Sequence, residues 1–278
     1  VKTNRADFAG TRPGLRVGIF FEKPSLRTRV SCEVAVTDLG MVPFVLKQDE
    51  IGLGKREAVG DVGKVLDRYL DVLAFRVFDH QNLVGLAENA DAPVINLLCD
   101  IEHPCQALAD LQTVAEHRPL QGATIAFIGD GNNVCNSLMI AAAMMGASTR
   151  IASPEGNEPA EEMLELARSK ATGGAEIFVT NDPAEAVVGA DAVYTDVWAS
   201  MGQESEAAER RQRFQPFQVN TELFSKAQDD AIFMHCLPAH RGDEVTDDVA
   251  DHPRSRIFDQ AENRMHAFKA LLLYLTAE

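Results

Sequence analysis

The sequence predicts an α/β protein of two domains, each a mainly parallel sheet flanked by helices. Three observations lead there. Short apolar runs ending in polar or glycine-bearing turns alternate with longer stretches of helical periodicity, the pattern of βαβ units. A polar segment, Arg118-Pro119-Leu120-Gln121-Gly122, separates one such series from a second. The chain has 278 residues, 46% of them hydrophobic, enough for two cores. The expected domains are residues 1–118 and 119–258, followed by a C-terminal helical segment, 259–278.

The first series opens with a strand over residues 15–21. Pro24 and Ser25 follow, and apolar residues at helical spacing run from Val30 to Val36. Ser25 suits the cap of that helix, so Ser25-Leu26-Arg27-Thr28-Arg29 sits at a helix N-terminus. Free N–H groups and partial positive charge there favour anions, and two hydroxyls and two guanidinium forks add donors for a phosphate or carboxylate. The alternative is a capped helix with solvated arginines. No glycine lies inside the stretch, so it is neither a Walker loop nor a dinucleotide fingerprint. A strand over 41–46, a polar loop over 48–56 and a helix over 57–70 come next. The strand over 72–77 carries Arg76 at its C-terminal end, where open parallel sheets bind ligands. A helix over 83–89 and a strand over 93–98 lead to His103-Pro104-Cys105-Gln106. His103 and Gln106, three apart at a helix start, can face one ligand and donate to a polarised carbonyl. A His-Pro pair there also serves as a plain cap.

The second series begins with a strand over 123–128 and the turn Gly129-Asp130-Gly131-Asn132-Asn133. The turn lacks the third glycine of a dinucleotide site, although Glu155, after the strand over 149–152, stands where a ribose-binding acid belongs. Asn132 and Asn133 suit a polar small molecule better. Strands over 177–180 and 192–195 follow, the latter running into Asp196-Val197-Trp198-Ala199-Ser200-Met201. Asp196 can bind an ammonium group or be a solvated loop carboxylate. A strand over 232–234 leads into His235-Cys236-Leu237-Pro238, and Asp259 opens a last apolar helix reaching Leu275.

A net charge of −16 argues against general nucleic-acid binding. Five scattered cysteines lack metal spacing and read as reduced thiols of a cytoplasmic protein, and no metal or cofactor is expected. The N-terminus has no signal-peptide core and no apolar run reaches the length of a membrane span. A first residue of Val suggests that a native N-terminal segment is absent.

Taken together, Phe20-Phe21-Glu22-Lys23-Pro24-Ser25-Leu26-Arg27-Thr28-Arg29, His103-Pro104-Cys105-Gln106, Gly129 to Asn133, Asp196 to Glu204, His235 to Pro238 and Ala261-Glu262-Asn263-Arg264 resemble the aspartate/ornithine carbamoyltransferase superfamily. The resemblance is strongest to its ornithine carbamoyltransferases. It implies a carbamoyl-phosphate domain and an ornithine domain with the active site in the interdomain cleft, a C-terminal helix packing back towards the first domain, and a homotrimer. The implied activity transfers the carbamoyl group of carbamoyl phosphate to the δ-amine of L-ornithine, giving L-citrulline and phosphate, a step of arginine metabolism. By motif position, Ser25, Leu26, Arg27 and Thr28 hold the phosphate; Arg76 bridges phosphate and carbonyl; His103, Gln106 and Arg264 polarise the carbamoyl group. Asn133, Asp196, Ser200 and Met201 bind ornithine, and Cys236 and Leu237 lie against the reacting amine.

Three departures from the family pattern stand out. Leu26 replaces a threonine, tolerable where only the backbone N–H is used. Gly52 occupies the position of a residue that reaches a neighbouring subunit, which leaves Lys55 or Arg56 to make that contact. The helix that usually precedes the opening strand is missing. Aspartate, putrescine and N-acylated ornithine are the alternative acceptors, and a non-catalytic binding protein is the alternative class. An acidic pocket at Asp196 would repel aspartate.

Overall fold

The computed structural model describes residues 1–199 and 207–277. The chain divides into two compact units, Val1–Cys105 with Glu262–Glu278, and Gln106–Ala261. In the first, α1 (Arg5–Phe8) precedes β1 (Arg16–Phe21), α2 (Leu26–Asp38), β2 (Val42–Lys47), α3 (Gln48–Ile51), α4 (Val59–Asp67), β3 (Val72–Arg76), α5 (His80–Ala87) and β4 (Val94–Leu98). The strands are all parallel, in the order β2-β1-β3-β4. Central parallel strands are covered on both faces and read as unbroken apolar runs. Val17 to Phe21 of β1 and Val72 to Phe75 of β3 are accordingly buried, and Phe20 stacks on Phe75 at 4.9 Å.

The helix α6 (Pro104–Ala115) starts in the first unit and continues into the second. There β5 (Thr124–Ile128), α7 (Asn133–Met144), β6 (Ser148–Ala152), α8 (Glu161–Lys170), β7 (Ile177–Thr180), α9 (Pro183–Val187), β8 (Ala192–Thr195), α10 (Ala207–Phe214), α11 (Thr221–Phe224), β9 (Ile232–His235) and α12 (Asp247–Ala250) follow. The last helix, α13 (Ile257–Leu275), belongs to the first unit from Glu262 onwards. The second sheet is also parallel, ordered β7-β6-β5-β8-β9. Its core gathers Phe127, Tyr194, Leu138 and Met234, each such side chain contributing about 1.5–3 kcal/mol on burial. Both sheets thus have the parallel, helix-flanked form that the alternating pattern predicts.

Caps explain where element bounds differ from the sequence reading. Residues 48–56, expected as loop throughout, contain the single turn α3, because the Lys47 N–H donates to Glu50 Oε2 at 2.9 Å and Gly52 terminates it at φ 66°. A side chain at Gly52 would also lie 2.7 Å from Arg56 Cβ. The helix expected from residue 83 begins at His80, since Asp79 Oδ1 accepts from the Gln81 N–H at 2.8 Å. The helix expected over 57–70 is shorter, Val59–Asp67, with Ala58 extended before it. A single helical turn, α1, lies before β1.

In each sheet the strand order reverses direction once. In the first the reversal lies between β1 and β3, in the second between β5 and β8. Ligands of open α/β sheets bind outside the carboxyl ends of the strands at these switch points. The Ser25–Arg29 stretch, Arg76, the Gly129–Asn133 turn and Asp196 stand at the carboxyl ends of β1, β3, β5 and β8, at or just after the last strand residue or in the first turn of the helix that follows.

Candidate active site

In the first unit the donors converge on Thr28, buried in the first turn of α2. Its Oγ1, with two lone pairs to offer, faces three donors: Arg264 Nη2 at 2.9 Å, Ser25 Oγ at 3.1 Å and Arg76 Nη1 at 3.4 Å. Ser25 also caps α2, accepting from the Thr28 N–H, an arrangement worth about 1 kcal/mol. Leu26 turns its side chain outward, 74% exposed, and contributes only backbone at the helix start. Arg27 is half-buried, whereas Arg29 is exposed and pairs with Glu33 along the helix at 2.7 Å. The β3–β4 register shifts between Phe75 and Arg76, a local irregularity of the kind that re-aims side chains next to sites. Two guanidinium forks, two hydroxyls and a helix N-terminus together suit a phosphoryl dianion.

His103 is buried in the same unit. Burial first, then the Arg264 and Arg76 charges, hold its pKa well below 6.5. Its ring is therefore neutral and can donate to a carbonyl oxygen without carrying charge. An unfolded chain protonates such a ring near 6.5 while the fold does not, so the unfolded state binds more protons below that pH. The stability contributed by neutral His103 is fully present above about pH 6.5 and declines as pH falls below it. In an NMR titration the His103 ring is expected to protonate only well below the pH at which a free imidazole does.

The second unit builds a different constellation. Asn132 caps α7, its Oδ1 accepting from the N–H groups of Val134 and Cys135 at 3.0 and 3.1 Å. That fixes the amide so that Nδ2 donates to Asp196 Oδ2 at 2.9 Å. Cys236 Sγ donates to the other oxygen, Asp196 Oδ1, at 3.0 Å. Asp196, at the end of β8, is buried, so an ammonium group meeting it would be recognised with little screening. Gly131 has a local reason to lack a side chain, because a Cβ would stand 2.2 Å from Pro159 N. The glycine serves packing against residues 158–159, and Glu155 is exposed. Neither observation calls for a nucleotide.

Burial, then the Asp196 carboxylate, push the Cys236 thiol well above its usual pKa. It is a protonated donor rather than a thiolate nucleophile. His235 is no base for it: Nδ1 accepts from the Leu237 N–H at 2.9 Å, and Nε2 faces Glu244 Oε1 at 3.0 Å. Leu237 itself has φ 60°, a left-handed conformation that costs a non-glycine residue about 1–3 kcal/mol and is found at ligand-holding turns. Among the described residues, Asp196, His235 and Cys236 bring possible metal-ligand atoms within 4.8 Å of one another. Each is already engaged in the hydrogen bonds above.

Asn133 is the first residue of α7, beside the capping Asn132, and is half-buried. Gln106, in α6, donates to Asp110. Ser200 and Met201 lie outside the described residues. Arg56 Nη2 donates to the Glu50 carbonyl at 2.5 Å, while Lys55 is exposed. The sequence reading did not single out Asn132 as the partner of Asp196, although an Asn just before a helical run is a cap signal. It missed Arg210 entirely. That buried guanidinium lies over the ring of Phe214, one turn on along α10, at 4.8 Å, and pairs at 2.6 Å with Asp130, a contact between distant stretches with no local signature.

Known proteins match this chain over nearly all of its length. The carbamoyl-phosphate-binding domain of aspartate/ornithine carbamoyltransferases matches residues 2–116, and their aspartate/ornithine-binding domain matches residues 121–275. An ornithine carbamoyltransferase of Thermococcus kodakarensis is 52% identical over 261 residues, 93% of this chain and 83% of that protein. The anabolic ornithine carbamoyltransferase of Pyrococcus furiosus is 51% identical over the same shares. The solved structure of ornithine carbamoyltransferase from Pyrococcus furiosus superposes with a TM-score of 0.94 at 48% identity, covering 98% of this chain and 88% of that one. That from Thermus thermophilus gives 0.89 at 44% identity, covering 99% and 91%. With both of its domain types matched in order and half of its residues shared with such relatives, the chain belongs to the aspartate/ornithine carbamoyltransferase family.

Proposed function

We propose that this protein transfers the carbamoyl group of carbamoyl phosphate to the δ-amine of L-ornithine, giving L-citrulline and phosphate, a reaction of arginine metabolism. The observation that carries the choice of acceptor is Asp196. It is a buried carboxylate at the switch point of the second sheet, oriented by Asn132 and Cys236 and suited to an α-ammonium group. The naming of relatives about half identical along the chain as ornithine carbamoyltransferases supports the same choice.

In this reading Ser25, the Leu26 N–H, Arg27 and Thr28 hold the phosphate, and Arg76 spans phosphate and carbonyl oxygen. Neutral His103 and Arg264 polarise the carbamoyl carbonyl, while Gln106, its nitrogen held by Asp110, meets the carbamoyl N–H groups with its oxygen rather than donating to the carbonyl as expected. Asn133, Asp196, Ser200 and Met201 bind ornithine, while Cys236 and the Leu237 carbonyl meet the amine. The neutral δ-amine attacks the carbamoyl carbon with its lone pair and forms a tetrahedral oxyanion. The C–O bond to phosphate then breaks, phosphate leaves with that electron pair, and the attacking nitrogen loses a proton. Such chemistry draws on positioning and oxyanion stabilisation, and needs no cofactor or covalent nucleophile.

The protein in this reading is cytoplasmic and a homo-oligomer, most simply a trimer. Support comes from cysteines that form no disulfide among the described residues, and from exposed Leu26, Val30 and Val34 on α2 and Val42 and Phe44 on edge strand β2. No described helix is long and apolar enough to cross a membrane. The decisive assay offers carbamoyl phosphate with ornithine, aspartate, putrescine and N-acetylornithine in turn. Citrulline formation is expected to dominate by about two orders of magnitude, the scale of a buried charge partner lost or gained. A preference for aspartate or putrescine would overturn the assignment.

A further inference from the structure

A buried chain of hydrogen bonds in the second unit reaches both the Gln106 amide and the turn that carries Cys236. Gln106 and Asp110 stand one helical turn apart on α6, both buried. Asp110 Oδ1 accepts from Gln106 Nε2 at 2.7 Å and from Gln260 Nε2 at 2.6 Å. Gln260, fully buried, turns its other end to β9, where Oε1 accepts from the His235 N–H at 2.9 Å. The His235 ring then accepts from the Leu237 N–H. A carboxylate oxygen only accepts and a backbone N–H only donates, so Asp110 settles which way both glutamine amides face. Gln106 must point its nitrogen at Asp110, which turns its carbonyl oxygen the other way. Gln260 must do likewise, which leaves its oxygen for the strand end just before Cys236.

We propose that Asp110 is a positioning residue, a single carboxylate oxygen that orients Gln106 and, through Gln260 and His235, the Cys236–Leu237 turn. The inference rests on the functional reading above, in which Gln106 serves the carbamoyl group and the turn serves the acceptor. Asp110 touches neither ligand in that reading. Its influence passes through the amides it holds, and a misplacement of even 1 Å at such groups costs catalysis heavily. A carboxylate that only satisfied the core would set stability and leave both substrates indifferent.

Three variants separate the two roles. Gln260→Ala breaks only the branch to His235. It is expected to raise the ornithine KM about tenfold and leave the calorimetric affinity for carbamoyl phosphate, measured without ornithine, within about twofold. Asp110→Ala breaks both branches and is expected to weaken carbamoyl phosphate binding, raise the ornithine KM and lower kcat about 10²-fold. Asp110→Asn keeps an oxygen that accepts both amides, and is expected to restore all three values to within about threefold of the wild type. Should Asp110→Ala not fold, the contrast between Gln260→Ala and Asp110→Asn still decides. The idea is overturned if Gln260→Ala lowers only the melting temperature, or if Asp110→Ala, corrected for folded fraction, matches the wild type. If the wild type does not carbamoylate ornithine, the functional reading fails by itself. Hydrogen exchange at the His235 and Leu237 amides still tests the chain, and it must quicken in Asp110→Ala relative to Asp110→Asn.

Discussion

Arg264→Ala is expected to lower kcat about 10²–10³-fold, the usual cost of removing one preorganised donor from a developing oxyanion. Arg264 is nearly buried on α13 and directs Nη2 at Thr28, alongside Arg76. Its loss would leave Thr28 without its closer guanidinium. Lysine should not rescue the variant, because a point charge cannot reproduce a planar fork. A second readout accompanies the first. The Arg264 charge helps hold His103 neutral, so in Arg264→Ala the His103 pKa should move up towards 6.5. The residual activity of the variant should then decline on the acidic side where the wild type is flat. A kcat within threefold of the wild type would remove Arg264 from the reaction.

Asp196→Asn should act on one substrate only. Truncating one partner of a buried charge pair costs about 2–5 kcal/mol, so the ornithine KM is expected to rise about 10²-fold or more. Calorimetric binding of carbamoyl phosphate in the absence of ornithine should be unchanged within about twofold. The geometry adds a penalty beyond lost charge. Asn132 Nδ2 and the Cys236 thiol both donate to Asp196, one to each oxygen, and an asparagine amide must present its own N–H groups to one of them. Equal losses for both ligands would mean that Asp196 shapes the fold rather than the acceptor.

Much of this was legible residue by residue. Strands over 177–180 and 192–195 coincide with β7 and β8, because a short apolar run between turn residues has few other solutions. Ser25 caps α2 as its place before a helical run implies. Arg76, Asp196 and Cys236 could be placed at strand ends because the βαβ alternation fixes where each strand stops. Short helices such as α3 were hidden, since one turn offers no periodicity and is specified by its caps. Asp110 and Gln260 were hidden for a deeper reason. They lie 150 positions apart, and each alone reads as an ordinary polar residue on an amphipathic helix. Only the fold makes them partners.

The protonated state of Cys236 bears on the other thiols as well. Cys32, Cys99, Cys105 and Cys135 are buried, whereas Cys236 is half-buried, and burial raises each of the four thiols above its ordinary pKa. Electrophiles and peroxides attack the thiolate, so the four buried thiols offer them no foothold while the chain is folded. Alkylation of those four would accordingly be paced by the opening of the cores, and a maleimide or iodoacetamide time course at them would serve as a clock for unfolding.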